Sequence, residues 1–325
     1  ASNASISDTI MNVTFDITPP EFAIIKPIDN SPVNSTELSY SISEPISNGL
    51  ITWSIVGNGD TGSPHKREII DEQKRGGTFR NFVFSEPPAL VDGMKYNISI
   101  VGTDLAGNKG KEVSINNIIY DITPPEFVEI IPTSDSYINE ADISYTLTET
   151  LAEGKIFFEN VGGTSDPKRT HVITLAGSKK TKGQQGGKLP KSFVNLVSGA
   201  KYNIIFEGND EAGNQAPETK MENIVFDNEP PMLDITGPLS NSFINKKLIS
   251  VSISEDLFEG SLILEQTSGK KDPNSPHKII LDDDSRKMGV LEDVIFPEFG
   301  WLDGSIYSLT FDGKDFAGNI AKTVK

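Results

Sequence analysis

An all-β chain of three tandem β-sandwich domains is what this 325-residue sequence predicts, and three observations predict it. The first is an internal period. The Ala of three Ala-Gly-Asn turns falls at Ala106, Ala212 and Ala317, steps of 106 and 105 residues, and the Asp shortly before each double proline falls at Asp16, Asp121 and Asp227. The chain's three histidines, His65, His171 and His277, keep the same step. A repeat of this length marks copies of one module. The second observation is alternation: Leu38, Tyr40 and Ile42 point one way and Ser39, Ser41 and Ser43 the other, the period of a half-buried strand. The third is composition, because 28 Gly and 20 Pro with 36% hydrophobic residues suit short strands joined by many turns. A chain of this length divides into two or three cores, and the repeats decide for three.

Each element of a copy follows in order. The alternating strand recurs as "ISYTLTE" and "VSISE", ending on Glu149 and Glu255 as the first copy ends on Glu44. An apolar strand after a Gly follows in "GLITW", "GKIFF" and "GSLIL", with Trp53, Phe158 and Leu264 at one position. A Greek-key sandwich of the immunoglobulin kind places a large core residue there, on its third strand. Tyr96, Tyr202 and Tyr307 each stand three residues after a Gly at the start of a later strand. That is the tyrosine corner, in which the phenol hydroxyl bonds a nearby backbone group and pins the crossover. The Ala-Gly-Asn turn and a final strand complete the copy.

The "D-x-A-G-N" turn followed by a strand ending in "FD-x-T-P-P" resembles the tandem bacterial immunoglobulin-like repeats of very large secreted or surface proteins, over nearly the whole chain. The third copy departs, with "DNEPP" for "DITPP". The resemblance implies extracellular stalks, adhesins or filament material without catalysis. The expected domains are residues 17–121, 122–227 and 228–325, preceded by an orphan last strand over 1–16.

Several function classes fall away. A net charge of −17 argues against nucleic acid, which needs a basic stripe, and against anionic membrane. No apolar run is long enough to span a bilayer. The absence of Cys removes disulfides and thiolate metal sites. Asp60, Asp166 and Asp272 each precede a His by five residues. One imidazole and one carboxylate per copy is too little for zinc and fits a hydrogen-bonded loop latch. "KKTKGQQGGK" over Lys179–Lys188 reads as a solvated hairpin loop.

The fold should bring together Asp16, Glu44 and Asp104 in the first copy, Asp121, Glu149 and Asp210 in the second, and Asp227, Glu255 and Asp315 in the third. Each set is a candidate Ca2+ site, since Ca2+ takes several hard oxygens in irregular geometry. The competing reading has each Asp capping its own turn. Sequons place glycan acceptors at Asn3, Asn12, Asn34 and Asn97.

Aligned with the other copies, Ala1 matches Ala106 and Ala212, and residues 317–325 match residues 1–9. The segment without a counterpart in the third copy corresponds to Ile10, Met11, Asn12, Val13, Thr14, Phe15 and Asp16. The expectation is that this strand completes the third domain of a neighbouring copy, head to tail, which makes a homopolymer unless the contact closes on itself. The competing expectation is a segment of a longer array, in which a covalently adjacent repeat supplies the strand. On either reading the module is a building block of a long, jointed rod, and the resemblance implies an extracellular or cell-surface structural protein. The alternative function is an adhesin or carbohydrate-binding repeat region with an unidentified surface ligand.

Overall fold

The computed structural model describes residues 11–189, 194–295 and 301–322. They form six sheets, paired into three all-β sandwiches. Contacts group the chain into two compact units, Ala1–Pro125 with Asn209–Ala216, and Glu126–Gly208 with Pro217–Lys325. The sequence-derived boundaries fall at 121/122 and 227/228, whereas this grouping divides at 125/126, keeps the second and third copies in one unit and assigns residues 209–216 to the first. Residues 209–216 side with the first unit because the Asn214 amide donates to the carbonyls of Asp121, at 2.9 Å, and Thr123, at 3.4 Å.

In the first unit, one antiparallel sheet is made of Phe22–Lys26, Leu38–Ile42 and Gly77–Phe82. The facing sheet runs in the order Pro32–Val33, Val113–Tyr120, Lys95–Asp104, Ile46–Ile55, His65–Glu68. Alternate residues of both sheets fill the core: Leu38, Tyr40 and Ile42 from the first, Ile51, Trp53, Ile98 and Ile100 from the second. Trp53 meets Phe84 edge-on with ring centroids 5.0 Å apart. Ser39 departs from the expected outward face and is buried. Asn81, in the left-handed region at φ 51°, covers it, donating its N–H to Ser39 Oγ at 2.9 Å. The Tyr40 hydroxyl, deep in the core, donates to the buried Gln73 of the 3-10 turn Asp71–Gln73, which satisfies both polar groups.

In the second unit, Phe127–Ile131, Asp142–Leu147 and Gly183–Lys188 make one sheet. Its partner orders Tyr137–Ile138, Thr219–Phe226, Ala200–Asn209, Glu153–Gly163, Thr170–Thr174. The stretch Lys179–Lys188 is therefore not a hairpin loop. Its first residues close a 3-10 turn and the remainder is an edge strand in register with Asp142–Leu147, whose backbone supplies the ladder that the glycine-rich sequence does not advertise.

The same unit holds the third sandwich, with Leu233–Gly237, Leu248–Ile253 and Gly289–Ile295 in one sheet. The other sheet orders His277–Ile280, Leu257–Gly269, Ser305–Asp315. It has three strands where its counterparts have five. Among the described residues nothing takes the place of Val113–Tyr120 or Thr219–Phe226, nor of the two-residue strands Pro32–Val33 and Tyr137–Ile138.

Candidate functional sites

Three features recur in each copy and one does not. The first recurring feature is a clasp at the tyrosine corner. Tyr96, Tyr202 and Tyr307 accept a hydrogen bond from the N–H five residues upstream, on Val91, Val197 and Leu302, at 2.9, 3.0 and 3.1 Å. The same hydroxyls donate to Asp60, Asp166 and Asp272 at 2.8, 2.7 and 2.9 Å. The oxygen that receives each of them also lies 2.6 Å from Nε2 of His65, His171 or His277. One carboxylate thus ties the latch loop to the tyrosine corner. The histidine-to-aspartate spacing was legible in the sequence; the link to the tyrosine was not, because some 36 residues separate them.

Electrostatics follow from this wiring. Hydrogen bonds from His65 and Tyr96 hold the Asp60 carboxyl below its usual range, and those from His277 and the Asn274 N–H do so for Asp272. At Asp166 burial opposes ionisation, but Tyr202, His171 and the Lys168 N–H outweigh it and the carboxyl is again held low. Burial, reinforced by Asp60, pushes the Tyr96 hydroxyl up to about 12. Each tyrosine hydroxyl both donates and accepts within the clasp, and each aspartate oxygen that receives it also meets a histidine Nε2, so the clasp ties the loop to the corner.

The second recurring feature is the Ala-Gly-Asn turn. Asp104, Asp210 and Asp315 cap it: each accepts the N–H of Asn108, Asn214 or Asn319 on one oxygen and that residue's amide on the other, at 2.8 to 2.9 Å. The same amides donate to the carbonyls of Asp16, Asp121 and Asp227, fixing the entering chain to the turn.

The third is carboxylate crowding. Asp16, Glu44 and Asp104 offer oxygens within 4.8 Å of one another, and so do Asp227, Glu255 and Asp315. Asp121 and Asp210 belong to the first unit and Glu149 to the second. The Asp oxygens already serve turns: Thr18 N–H donates to Asp16 Oδ1 at 2.9 Å, and Asn108 occupies both oxygens of Asp104. Three carboxylates, each able to offer one or two oxygens, would supply part of the six to eight that Ca2+ takes. Burial and the charges of Asp16 and Asp104 raise Glu44, and burial with Asp227 and Asp315 pushes Glu255 up to about 7.

A raised carboxyl pKa means that the folded state holds the proton more tightly than the unfolded chain. Stability from this group is therefore intact below about 4.5, falls as pH rises towards about 7 and is level above. Glu255→Gln should raise the melting temperature at pH 8 and leave it unchanged at pH 4. Thermal melts of both variants check this, and a lower melting temperature for Glu255→Gln in excess Ca2+ would assign the cluster to a cation instead.

The feature that does not recur is the open edge of Ser305–Asp315. Leu309 is only half-buried there, whereas its equivalents Ile98 and Ile204 are fully covered by the next strand. Phe243 and Ile244, equivalent to the strands Pro32–Val33 and Tyr137–Ile138, are exposed and unpaired among the described residues. Met11–Asp16 forms no strand within its own chain; Ile10 lies outside the described residues. Val13 is 78% exposed, while its equivalents Ile118 and Ile224 are 2% and 0% exposed. Asn12 nevertheless has φ 62°, matching 56° at Asn117 and 58° at Asn223 in the paired strands.

Of the sequon residues, Asn12 and Asn34 are exposed, Asn3 lies outside the described residues, and Asn97 is half-buried with its side-chain Oδ1 accepting from the Asn117 N–H at 3.0 Å.

The family model for the bacterial Ig-like domain (group 3) matches residues 81–221 and 192–262, together more than half of the chain. No curated protein matches significantly. Among solved structures, the FN1–FN3 domains of chicken CNTN1 are similar at 12% identity and a TM-score of 0.33, over 94% of this chain and 96% of that one. A structure from a 1.5-MDa bacterial ice-binding adhesin, concerned with host cell surface retention, is similar at 14% identity and a TM-score of 0.31, over 95% and 96%. The fibronectin(III)-like modules of Clostridium thermocellum CbhA are similar at 12% identity and a TM-score of 0.30, over 64% and 94%.

Proposed function

Because this chain belongs to the bacterial Ig-like domain family (group 3), we propose that it works outside the cell as a non-catalytic structural segment of a surface or secreted repeat protein, whose third sandwich is completed head to tail by residues Ile10–Asp16 of a neighbouring copy. The observation that carries this reading is the contrast between sheets. Among the described residues two sandwiches have five-stranded sheets where the third has three, while Met11–Phe15 carries the apolar pattern of the absent strand and lies exposed. An uncovered strand edge is a template for pairing, and an extended segment that adds to it gains main-chain hydrogen bonds and side-chain pockets together. The contact joins unlike surfaces, so it propagates into a filament unless the rotation closes a ring.

Other observations agree with a role outside catalysis. The Ig-like families are typically non-catalytic, and the Asp-His-Tyr group of each copy is mutually bonded, fully buried in the second copy and partly buried in the other two. No helix of the described residues is long and apolar enough to cross a membrane. The net charge of −17 favours a freely soluble surface.

The test compares the chain with and without residues 1–16 by size-exclusion chromatography and negative-stain microscopy. Head-to-tail assemblies are expected for the full chain and monomers for the truncated one, with unchanged far-ultraviolet circular dichroism. Monomers in both samples would overturn completion by a second copy.

A further inference from the structure

We propose that Asp303 is a selector for the strand that completes the third sandwich: it favours the Asp-Ile-Thr linker carried at Asp16, Ile17 and Thr18 of a second copy over the Asp-Asn-Glu linker carried at Asp227, Asn228 and Glu229. This rests on the head-to-tail completion proposed above and adds a rule for which strand goes where.

The rule is read from the two sandwiches whose last strands are in place. In the first, the residue before the tyrosine-corner Gly is Asp92. One of its oxygens accepts the Ile122 N–H at 2.8 Å and the other accepts the Thr123 hydroxyl at 2.6 Å. In the second, that position is Ser198, which donates to Asp227 Oδ1 at 2.9 Å and accepts the Asn228 N–H at 3.1 Å. The exchange is chemically matched. A carboxylate uses the hydroxyl that Thr supplies at the third linker position, where Glu would bring a second anion and no donor. Serine can donate, so it turns to the linker's own Asp and leaves Glu229 without an anionic neighbour at that position.

The third sandwich carries Asp303 here, exposed and with no hydrogen-bond partner among the described residues. It is the carboxylate version of the latch, and the linker it matches is Asp-Ile-Thr. The segment that bears this linker already has the local shape of a docked strand. Thr18 N–H donates to Asp16 Oδ1 at 2.9 Å, as Thr123 does to Asp121 at 3.2 Å, and Asn12 holds the left-handed kink of Asn117. Less ordering is then left to the binding step. The receiving side repeats the partners as well. Ser240 and Asn241 stand where Ser134 Oγ accepts the Glu222 N–H and where the Asp135 N–H donates to the Glu222 carbonyl.

The test uses the full chain carrying Val13→Asp and Phe15→Asp, whose own segment is barred from an apolar slot, as the acceptor. The ligands are two fluorescent peptides of residues 8–18, one native and one with Ile17→Asn and Thr18→Glu. Fluorescence anisotropy should give a Kd about tenfold lower for the native peptide, the scale of one charge-assisted hydrogen bond. Asp303→Ser in the acceptor should abolish or reverse that preference. Equal affinities of both peptides for both acceptors would overturn the selector and leave head-to-tail completion standing. If neither peptide binds a folded acceptor, both proposals fail and the slot belongs to another strand, such as that of a covalently following repeat.

Discussion

Replacing Asp166 by Ala is expected to destabilise the second sandwich by about 3 kcal/mol, the range for removing one partner of a buried charged hydrogen-bond network. Asp166 and His171 are 3% and 2% exposed, and Tyr202 is 1% exposed. Removal of the carboxylate leaves the Tyr202 hydroxyl and the His171 ring without their acceptor in a place that water does not reach. Asp166→Asn should lose less, because its amide oxygen still accepts one of the two. Because the Asp166 carboxyl is held low in the fold, its contribution is present above the ordinary carboxylate pKa and disappears as pH falls through the lowered value. Calorimetry of the variants between pH 3 and pH 7 reads this directly. Equal melting temperatures for Asp166→Ala and the unaltered chain at pH 7 would show that the clasp contributes nothing.

Trp53→Ala should remove about 4 kcal/mol from the first sandwich. Trp53 is 1% exposed and pairs with Ile98 across the sheet while its ring meets Phe84, so truncation leaves a cavity that neighbouring strands cannot collapse to fill. Trp53→Phe should lose clearly less, since the second sandwich builds its core on Phe158 at the same position, edge-on to Tyr202 at 6.4 Å. Urea titration of both variants separates the two. A loss below about 1 kcal/mol for Trp53→Ala, the level of a surface substitution, would contradict its place at the centre of the core.

These core positions were legible in the sequence because period-two alternation and a fixed repeat carry the same information. Leu38, Tyr40 and Ile42 announce their face, and Tyr96, Tyr202 and Tyr307 announce a corner by their distance from a Gly. Other elements were not legible, for identifiable reasons. Gly183–Lys188 is a strand by virtue of the backbone it pairs with, so its glycines and lysines signal a loop to any local reading. Ser39 is buried because Asn81 folds over it from 42 residues away, and polarity alone sends it outward. The carboxylates of the Ala-Gly-Asn turns were visible as residues, but not the way in which the Asn amide ties each turn to the carbonyl of the entering chain. That bond spans some 92 residues, between Asn108 and Asp16.

The two-residue strands Pro32–Val33 and Tyr137–Ile138 run parallel to Ile119–Tyr120 and Val225–Phe226, and this direction matters once tension is applied. A pull that separates the start of a sandwich from its end drives parallel neighbours past each other lengthwise, so their hydrogen bonds stretch together instead of opening singly like a zipper. Phe243 and Ile244 sit where the third such mechanical clamp would form, and a strand docked beside them would make that sandwich as resistant to stretching as the other two.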